Sequence, residues 1–298
     1  MKRIIISLAL LLFIPGCLKV GPDFSPPQVA TQSHWRNSSA GEITTRDEQL
    51  NHWWKLLNDP HLDSLITMAA RQNLSLKAAA MRVLEARALL GIAVGEFFPQ
   101  TQEAVGEAMR QKTSKNTPNR RTSDRKYWDF QLGLTAAWEL DFWGKFRRAI
   151  ESVGQELCAE QADFDDVLVI LLSDVASTYV SIRTLEERID IVKQNVTIQE
   201  RSLEIVLARW EAGMVTELDV KQAETLVSST EARLPELTAD LQSGENALAV
   251  LLGIPPLDID CFLHTAGKIP VPPLDIAASI PCALLHRRPD IRRAYHET

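Results

Sequence analysis

The side chains best equipped for chemistry in this 298-residue chain are carboxylates and thiols, and their spacing limits what they can do. Asp163, Asp165 and Asp166 fall in a segment with helical periodicity. On a helix, positions 163 and 166 share a face and 165 points elsewhere, so a solvated acidic face fits them better than a metal site. Glu139 and Asp141 share one face of a predicted strand, and in a barrel that face would be the lumen, where carboxylates tune ion preference. As a catalytic pair they lack any accompanying pocket signal. The four cysteines, Cys17, Cys158, Cys261 and Cys282, form no CxxC pair, and the six histidines are scattered. Zinc-ribbon and thioredoxin-like chemistry therefore have nothing to stand on. Cys261 and Cys282 could bridge in an oxidising compartment, although the sequence does not bring them together. HExxH, a Gly-rich phosphate loop, GxSxG and the kinase signatures are all missing, so the expectation is a non-enzyme with no catalytic, cofactor or metal residues.

The bulk composition narrows the class further. With 39 acidic against 32 basic residues and a formal charge of −7, the chain lacks the basic surface that nucleic-acid binding requires. At 45% hydrophobic and 24% charged it is neither disordered by composition nor a bundle of membrane helices. Lys2 and Arg3 precede an apolar run from Ile4 to Ile14, too short to span a hydrocarbon core but suited to a signal peptide. The run ends in Ile14-Pro15-Gly16-Cys17, which resembles a bacterial lipoprotein signal: a small residue precedes a cysteine that is lipidated and becomes the mature N-terminus. In such lipoproteins an aspartate after the cysteine often retains the protein at the inner membrane. Leu18 stands there instead, which favours the outer membrane.

An extended arm follows, carrying Val20-Gly21-Pro22-Asp23-Phe24-Ser25-Pro26-Pro27 and then polar residues. Asp59-Pro60 reads as a helix start, with Leu62, Leu65, Ile66 and Ala69 on one face, then Leu76, Ala79, Val83, Ala86 and Leu90 at alternating steps of three and four. Phe97-Phe98-Pro99 should end it. Between 101 and 141 the period changes to two: Trp128, Phe130, Leu132, Leu134, Ala136, Trp138 and Leu140 occupy one face. Trp128 and Trp138 near its ends resemble the aromatic girdle of a membrane barrel, and ~10 tilted residues suffice to span. An edge of a soluble sheet remains the alternative. The partner strand, around 101–112, alternates poorly, and the basic loop between them, with Lys115, Arg120, Arg121, Arg125 and Lys126, reads as solvated.

The longest signal comes next. Leu168, Val175, Ile182, Ile189, Val196 and Leu203 recur every seven residues, accompanied by Leu171, Thr178, Leu185, Val192, Gln199 and Val206. With no proline between Lys145 and Trp210, one helix could run ~100 Å; shorter helices broken near Gly154 are the alternative. Gly213 marks a turn, Thr216 can cap a second helix, and its seam runs through Val220, Ala223, Val227, Thr230, Leu234, Leu237, Leu241, Gly244, Leu248 and Leu251. Pro235 should kink or break it. The two helices should form an antiparallel hairpin closed at Gly213.

These residues together resemble the TolC-type outer-membrane efflux factors, in particular the lipidated NodT-like branch that serves resistance-nodulation-division pumps. The carrying stretches are Cys17 with Val20-Gly21-Pro22-Asp23-Phe24; Trp53-Trp54 with Asp59-Pro60 and Leu62; Glu85-Ala86-Arg87-Ala88; Trp138-Glu139-Leu140-Asp141-Phe142-Trp143-Gly144-Lys145; Asn246-Ala247-Leu248-Ala249 with Leu251-Leu252-Gly253; and Arg287-Arg288-Pro289-Asp290-Ile291. The resemblance implies an α+β fold: a long α-helical coiled-coil hairpin forming a periplasmic tunnel, and two strands contributed to a trimeric transmembrane β-barrel. It implies a passive export duct for drugs, metals or other small molecules, without a cofactor. The implied partners are two further copies, a periplasmic adaptor, an inner-membrane pump and the lipids of the outer membrane. Arg209, Gly213, Thr216, Leu218 and Asp219 match the hairpin tip that would meet the adaptor; otherwise they only shape the turn. The expected organisation is a signal with lipidated Cys17 over 1–17, an extended arm over 18–58, helices over 59–96, a barrel hairpin over 97–143, the long helical hairpin over 144–253 and an equatorial segment over 254–298.

Family members carry two such repeats. The segment from Arg287 to Ala294 echoes Asn73-Leu74-Ser75-Leu76-Lys77-Ala78-Ala79, and the chain stops four residues later. Two strands in each of three copies give only six, fewer than the ~8 of the smallest single-chain outer-membrane barrels. The expectation is therefore a partial protomer whose duct function on its own is in doubt. The rival expectation is a periplasmic lipoprotein whose coiled coil is a structural rod or docking module.

Overall fold

The computed structural model describes residues 19–26, 43–44, 50–114, 126–263, 268–272, 276–277, 285 and 287–298. Cys17, Cys282 and the loop residues Lys115, Arg120, Arg121 and Arg125 lie outside them. The chain is α+β, in the order β1 (Ile43–Thr44), a 3-10 segment Leu50–Leu57, α1 (Pro60–Gln72), α2 (Leu74–Glu96), β2 (Thr101–Lys112), β3 (Lys126–Ala137), α3 (Lys145–Glu211), α4 (Glu217–Glu231), α5 (Arg233–Leu252), α6 (Asp260–Leu263), β4 (Ile276–Ala277) and α7 (Pro289–Glu297). The chain divides into two compact units.

The unit holding Ala30–Arg82 and Gln161–Tyr295 is organised by one apolar cluster. Leu62, Leu65, Ile66 and Ala69 of α1 meet Leu171, Val175, Ala176, Tyr179 and Ile182 of α3 and Leu248, Ala249 and Leu252 of α5. Asp59 starts α1 with one carboxylate oxygen, which accepts from the His61 and Leu62 backbone N–H groups at 2.8 and 3.2 Å. Its other oxygen accepts from the hydroxyl of the fully buried Tyr179 at 2.8 Å, so the cap also ties α1 to α3. Asn73 does similar work between α1 and α2. Its side chain accepts from Leu76 N–H at 2.8 Å and donates to the Leu251 carbonyl at 2.9 Å.

Every position of the two α3 seams is buried or half-buried, as is every seam position on α4 and α5. Gly244 lets α5 approach α3 closely, since a Cβ there would lie 3.2 Å from Ile182. The return strand of the hairpin is two helices, broken at Ala232. Pro235 explains the position of the break: it has no N–H for the carbonyl four residues earlier, which belongs to Glu231, the last residue of α4. Gly253, left-handed at φ 69°, ends α5.

The acidic run at 163–166 is not the plain solvated face expected. Asp163 is buried and accepts from both Arg82 of α2, at 2.9 Å, and Arg293 of α7. Asp165 accepts from Arg292 at 2.9 Å. The partners of these two carboxylates are guanidinium groups.

The other unit is built on Val83–Glu160 with the N-terminal arm and residues 296–298. It contains the antiparallel pair β2–β3, in full register from Thr101 opposite Ala137 to Lys112 opposite Lys126. The helix that leaves this pair, α3, is continuous for 67 residues, and Gly154 does not interrupt it. A Glu139 and Asp141 pair facing a lumen does not form. β3 ends at Ala137, Glu139 pairs with Lys145 at 3.2 Å, and Asp141 turns to Arg147 at 3.3 Å.

Candidate functional site

Three features present chemistry to a partner or to solvent. The first is the strand pair. Register places Gln102, Ala104, Gly106, Ala108 and Arg110 of β2 beside Ala136, Leu134, Leu132, Phe130 and Trp128 of β3, all on one face. Small residues on one strand thus sit against large ones on the other, which explains why β2 alone shows no clear apolar alternation. This face is open: Leu132 is 90% and Leu134 86% exposed, with Trp128 and Trp138 both more than half exposed. Trp128 stacks on Phe130 at 6.0 Å, and the Arg110 guanidinium lies 5.6 Å from its ring. The opposite face carries Glu103, Glu107, Gln111, Asp129, Gln131 and Thr135 together with Val105, Met109 and Tyr127. β2 and β3 pair with no third strand among the described residues.

The second feature is the junction where β3 gives way to α3. Trp138 donates from its indole N–H to the Phe97 carbonyl at 3.1 Å. Burial acts to raise the Asp141 carboxyl, but hydrogen bonds from the Arg147 backbone and side chain and the Gly144 backbone outweigh it and hold the group below its ordinary value. Asp141 therefore stays ionised at the first turn of α3. The arm is stitched to the same place. Val20 N–H donates to the Trp143 carbonyl at 3.0 Å. Arg148 donates to the carbonyls of Val20 and Gly21 at 3.2 and 3.1 Å and to the Asp23 carboxylate at 2.7 Å. Glu151 accepts from both Arg148, at 2.8 Å, and Lys19, at 3.3 Å.

The third feature is the tip between α3 and α4. Gly213 adopts φ 71°, and the N–H groups of Gly213 and Met214 donate to the carbonyls of Trp210 and Arg209 at 2.8 and 2.9 Å. Asp219 closes the other side, its carboxylate accepting from the Thr216 N–H at 2.8 Å and the Thr216 hydroxyl at 2.7 Å. Those two bonds lower the Asp219 pKa from its ordinary value. Arg209, Gly213, Thr216, Leu218 and Asp219 are all exposed on this one turn. Trp210 and Met214, which the sequence reading did not single out, are exposed beside them at 45% and 77%. Their signal was available: Trp210 lies one seven-residue step beyond Leu203, and Met214 is the apolar residue directly after the turn glycine.

This combination of open strand pair, long coiled-coil hairpin and rigid tip has counterparts. Residues 65–254 match the family model described as outer membrane efflux protein. The chain belongs to that family. Among its relatives, the pyoverdine export outer membrane protein OpmQ of Pseudomonas aeruginosa is 34% identical over 297 residues, covering 97% of this chain and 62% of the relative. Nodulation protein T of Rhizobium leguminosarum bv. trifolii is 29% identical, covering 95% of this chain and 59% of the relative. The outer-membrane channel OprN is structurally similar, with a TM-score of 0.81 and 29% identity, over 93% of this chain and 61% of that one. The chain thus spans about three fifths of the length of the curated relatives it matches.

Proposed function

We propose that this chain is a subunit of an outer-membrane duct through which small molecules pass from the periplasm to the exterior, with no chemistry of its own. The observation that carries this reading is the strand pair: an apolar face in the open, a more polar, mixed face behind it, and outer backbone edges with no partner strand among the described residues. In lipid such edges must be closed by further strands, because unsatisfied N–H and C=O groups cost several kcal/mol each. A relative supports the direction of transport, since OpmQ is named for pyoverdine export.

Supporting the assembly, α3 carries a second heptad strip besides its seam. Ile191, Ile198 and Ile205, at 47%, 63% and 51% exposure, suit the flank of a neighbouring hairpin in a three-copy tunnel. The tip, with Trp210, Met214 and Leu218 around the Arg209 cation, suits a periplasmic adaptor that passes cargo from an inner-membrane pump. Cys17 is the proposed lipid attachment, holding the chain at the outer membrane. The pump, rather than the duct, selects the cargo.

Detergent dependence tests the duct against a soluble rod. With the anchor removed by Cys17→Ser, the duct subunit still requires detergent for extraction from outer membranes, because its strand face remains in lipid. Extraction of that variant into plain buffer as a stable helical protein overturns the duct reading.

A further inference from the structure

We propose that the loop end of the strand pair carries a binding surface for the phosphate groups of lipopolysaccharide, formed by Arg110, Lys112 and Lys126. The proposal rests on the duct reading, which puts the strands in the outer membrane, and names a lipid that they hold there.

The charges of the strand pair are sorted by face. Alternation along β2 and β3 puts Arg110, Lys112 and Lys126 on the open apolar face, and Glu103, Glu107 and Asp129 on the opposite one. The cations are also sorted by height. They fall together at the end nearest the connecting loop, from Arg110 opposite Trp128 to Lys112 opposite Lys126.

Two features of this cluster point to an anion. Lys112 and Lys126 stand directly opposite each other, which brings their Cβ atoms within about 5.5 Å and makes the like charges repel. Both are exposed, and no carboxylate of the pair shares their face to relieve that repulsion. Arg110 is already positioned beside them: its guanidinium lies 5.6 Å from the Trp128 ring centroid, in a cation–π contact that leaves its N–H groups to other acceptors. Two compact ammonium groups and one planar fork of donors are what phosphate oxygens accept from in charge-assisted hydrogen bonds.

Depth selects a lipid as the source of that phosphate. From Ala136 to Lys126 is ten steps of β3. Ten steps make about 34 Å of strand, or about 26 Å of depth at a tilt of about 40°, and the apolar band of an outer-membrane barrel is about 25 Å tall. Leu134, Leu132 and Phe130 fill the interval, so the cations emerge at one rim of the band. The helices α2 and α3 join the pair at its Thr101 and Ala137 end, which makes the cationic rim the one turned to the exterior. There the outer leaflet presents phosphorylated glycolipid. Because the three side chains share the lipid-facing side, cargo inside the duct does not meet them.

The test uses the full chain purified from outer membranes in a neutral detergent. Bisphosphorylated lipid A is titrated in mixed micelles, and the protein fraction carrying the lipid is read by native mass spectrometry. Each basic side chain near an anionic lipid is worth about fivefold in affinity. The expected result is that Arg110→Gln, Lys112→Gln and Lys126→Gln together weaken lipid A binding at least about thirtyfold, and Lys112→Gln alone about fivefold. Lys112→Arg with Lys126→Arg retains binding within about twofold, which separates lost charge from lost folding. Lys77→Gln, Lys193→Gln and Arg201→Gln together, which remove the same charge from exposed helix positions, change it less than about twofold. Dephosphorylated lipid A binds at least about tenfold more weakly than the phosphorylated form to the unaltered chain. Equal binding of the two lipids, an undiminished affinity in the triple strand variant, or an equal loss in the helix variant overturns the proposal. Displacement of lipid A by millimolar inorganic phosphate also overturns it, since the surface would then be a free-anion site. Extraction of the Cys17→Ser chain into plain buffer overturns the duct reading and the proposal with it, whereas a detergent-requiring chain that fails the lipid A titration overturns the proposal alone.

Discussion

Asp219 shows how much of the hairpin tip depends on a single carboxylate. Both hydrogen bonds that its carboxylate accepts come from Thr216, so the turn is held by an ionised group whose pKa is lowered from 3.8. A depressed folded-state pKa means the unfolded chain takes up the proton first as pH falls. The contribution is therefore complete above the ordinary value of 3.8 and is lost as pH drops through the lower folded value. Asp219→Ala should lower the urea midpoint at pH 7, and the difference from the unaltered chain should shrink towards zero in acid. A difference that persists unchanged once acid has protonated the carboxylate in both states would assign the loss to something other than the charge. The residues of the tip were legible because glycine, threonine and aspartate announce a turn. The ion pairs of Asp163 were not, since Arg82 and Arg293 stand 81 and 130 residues away along the chain.

Among the elements, the helices were the most readable and β2 the least, for one physical reason. A heptad seam is a property of one strand of sequence, and all twelve α3 seam positions turn out buried or half-buried. The outward face of a strand pair is a property of two. Ala104, Gly106 and Ala108 mean little until Leu134, Leu132 and Phe130 are set opposite them. Glu139 and Asp141 were misassigned for a related reason: the period of two continues past Ala137, but the backbone leaves the sheet there and the Asp141 carboxylate is taken up by the start of α3. The stop of α5 gives a sharp test. Gly253 is left-handed, and a Cβ there would lie 2.9 Å from the Gln72 carbonyl oxygen. Gly253→Ala should cost about 1–2 kcal/mol for the left-handed backbone alone, with the clash adding to it. Thermal unfolding followed by circular dichroism measures the sum, and a loss below ~0.5 kcal/mol would show that neither the left-handed backbone nor the approach of Gln72 limits this position.

At the scale of the whole molecule, the hairpin carries an apolar seam covered by its own helices and a second apolar strip that the described residues leave open. The seam is satisfied within α3, α4 and α5, whereas Ile191, Ile198 and Ile205 face outwards. A change on the outer strip should separate folding from association. Ile198→Asp is expected to leave the helical content and thermal midpoint within ~0.5 kcal/mol of the unaltered chain, because the side chain is exposed. The same variant should show much weaker chemical cross-linking to neighbouring hairpins in isolated outer membranes. Undiminished cross-linking would remove the strip from the assembly interface.

The arm's contacts also carry a message about time. Asp23 and Arg148 are separated by 125 residues, so closing the chain between them from a fully flexible state would cost about 4 kcal/mol in entropy. The arm is the first of these segments to be synthesised, and its receptor is complete only when the first turn of α3 has formed. Its closure therefore waits on Trp143 and Arg148: a chain whose first α3 turn has not formed offers Val20, Gly21 and Asp23 nothing to hold.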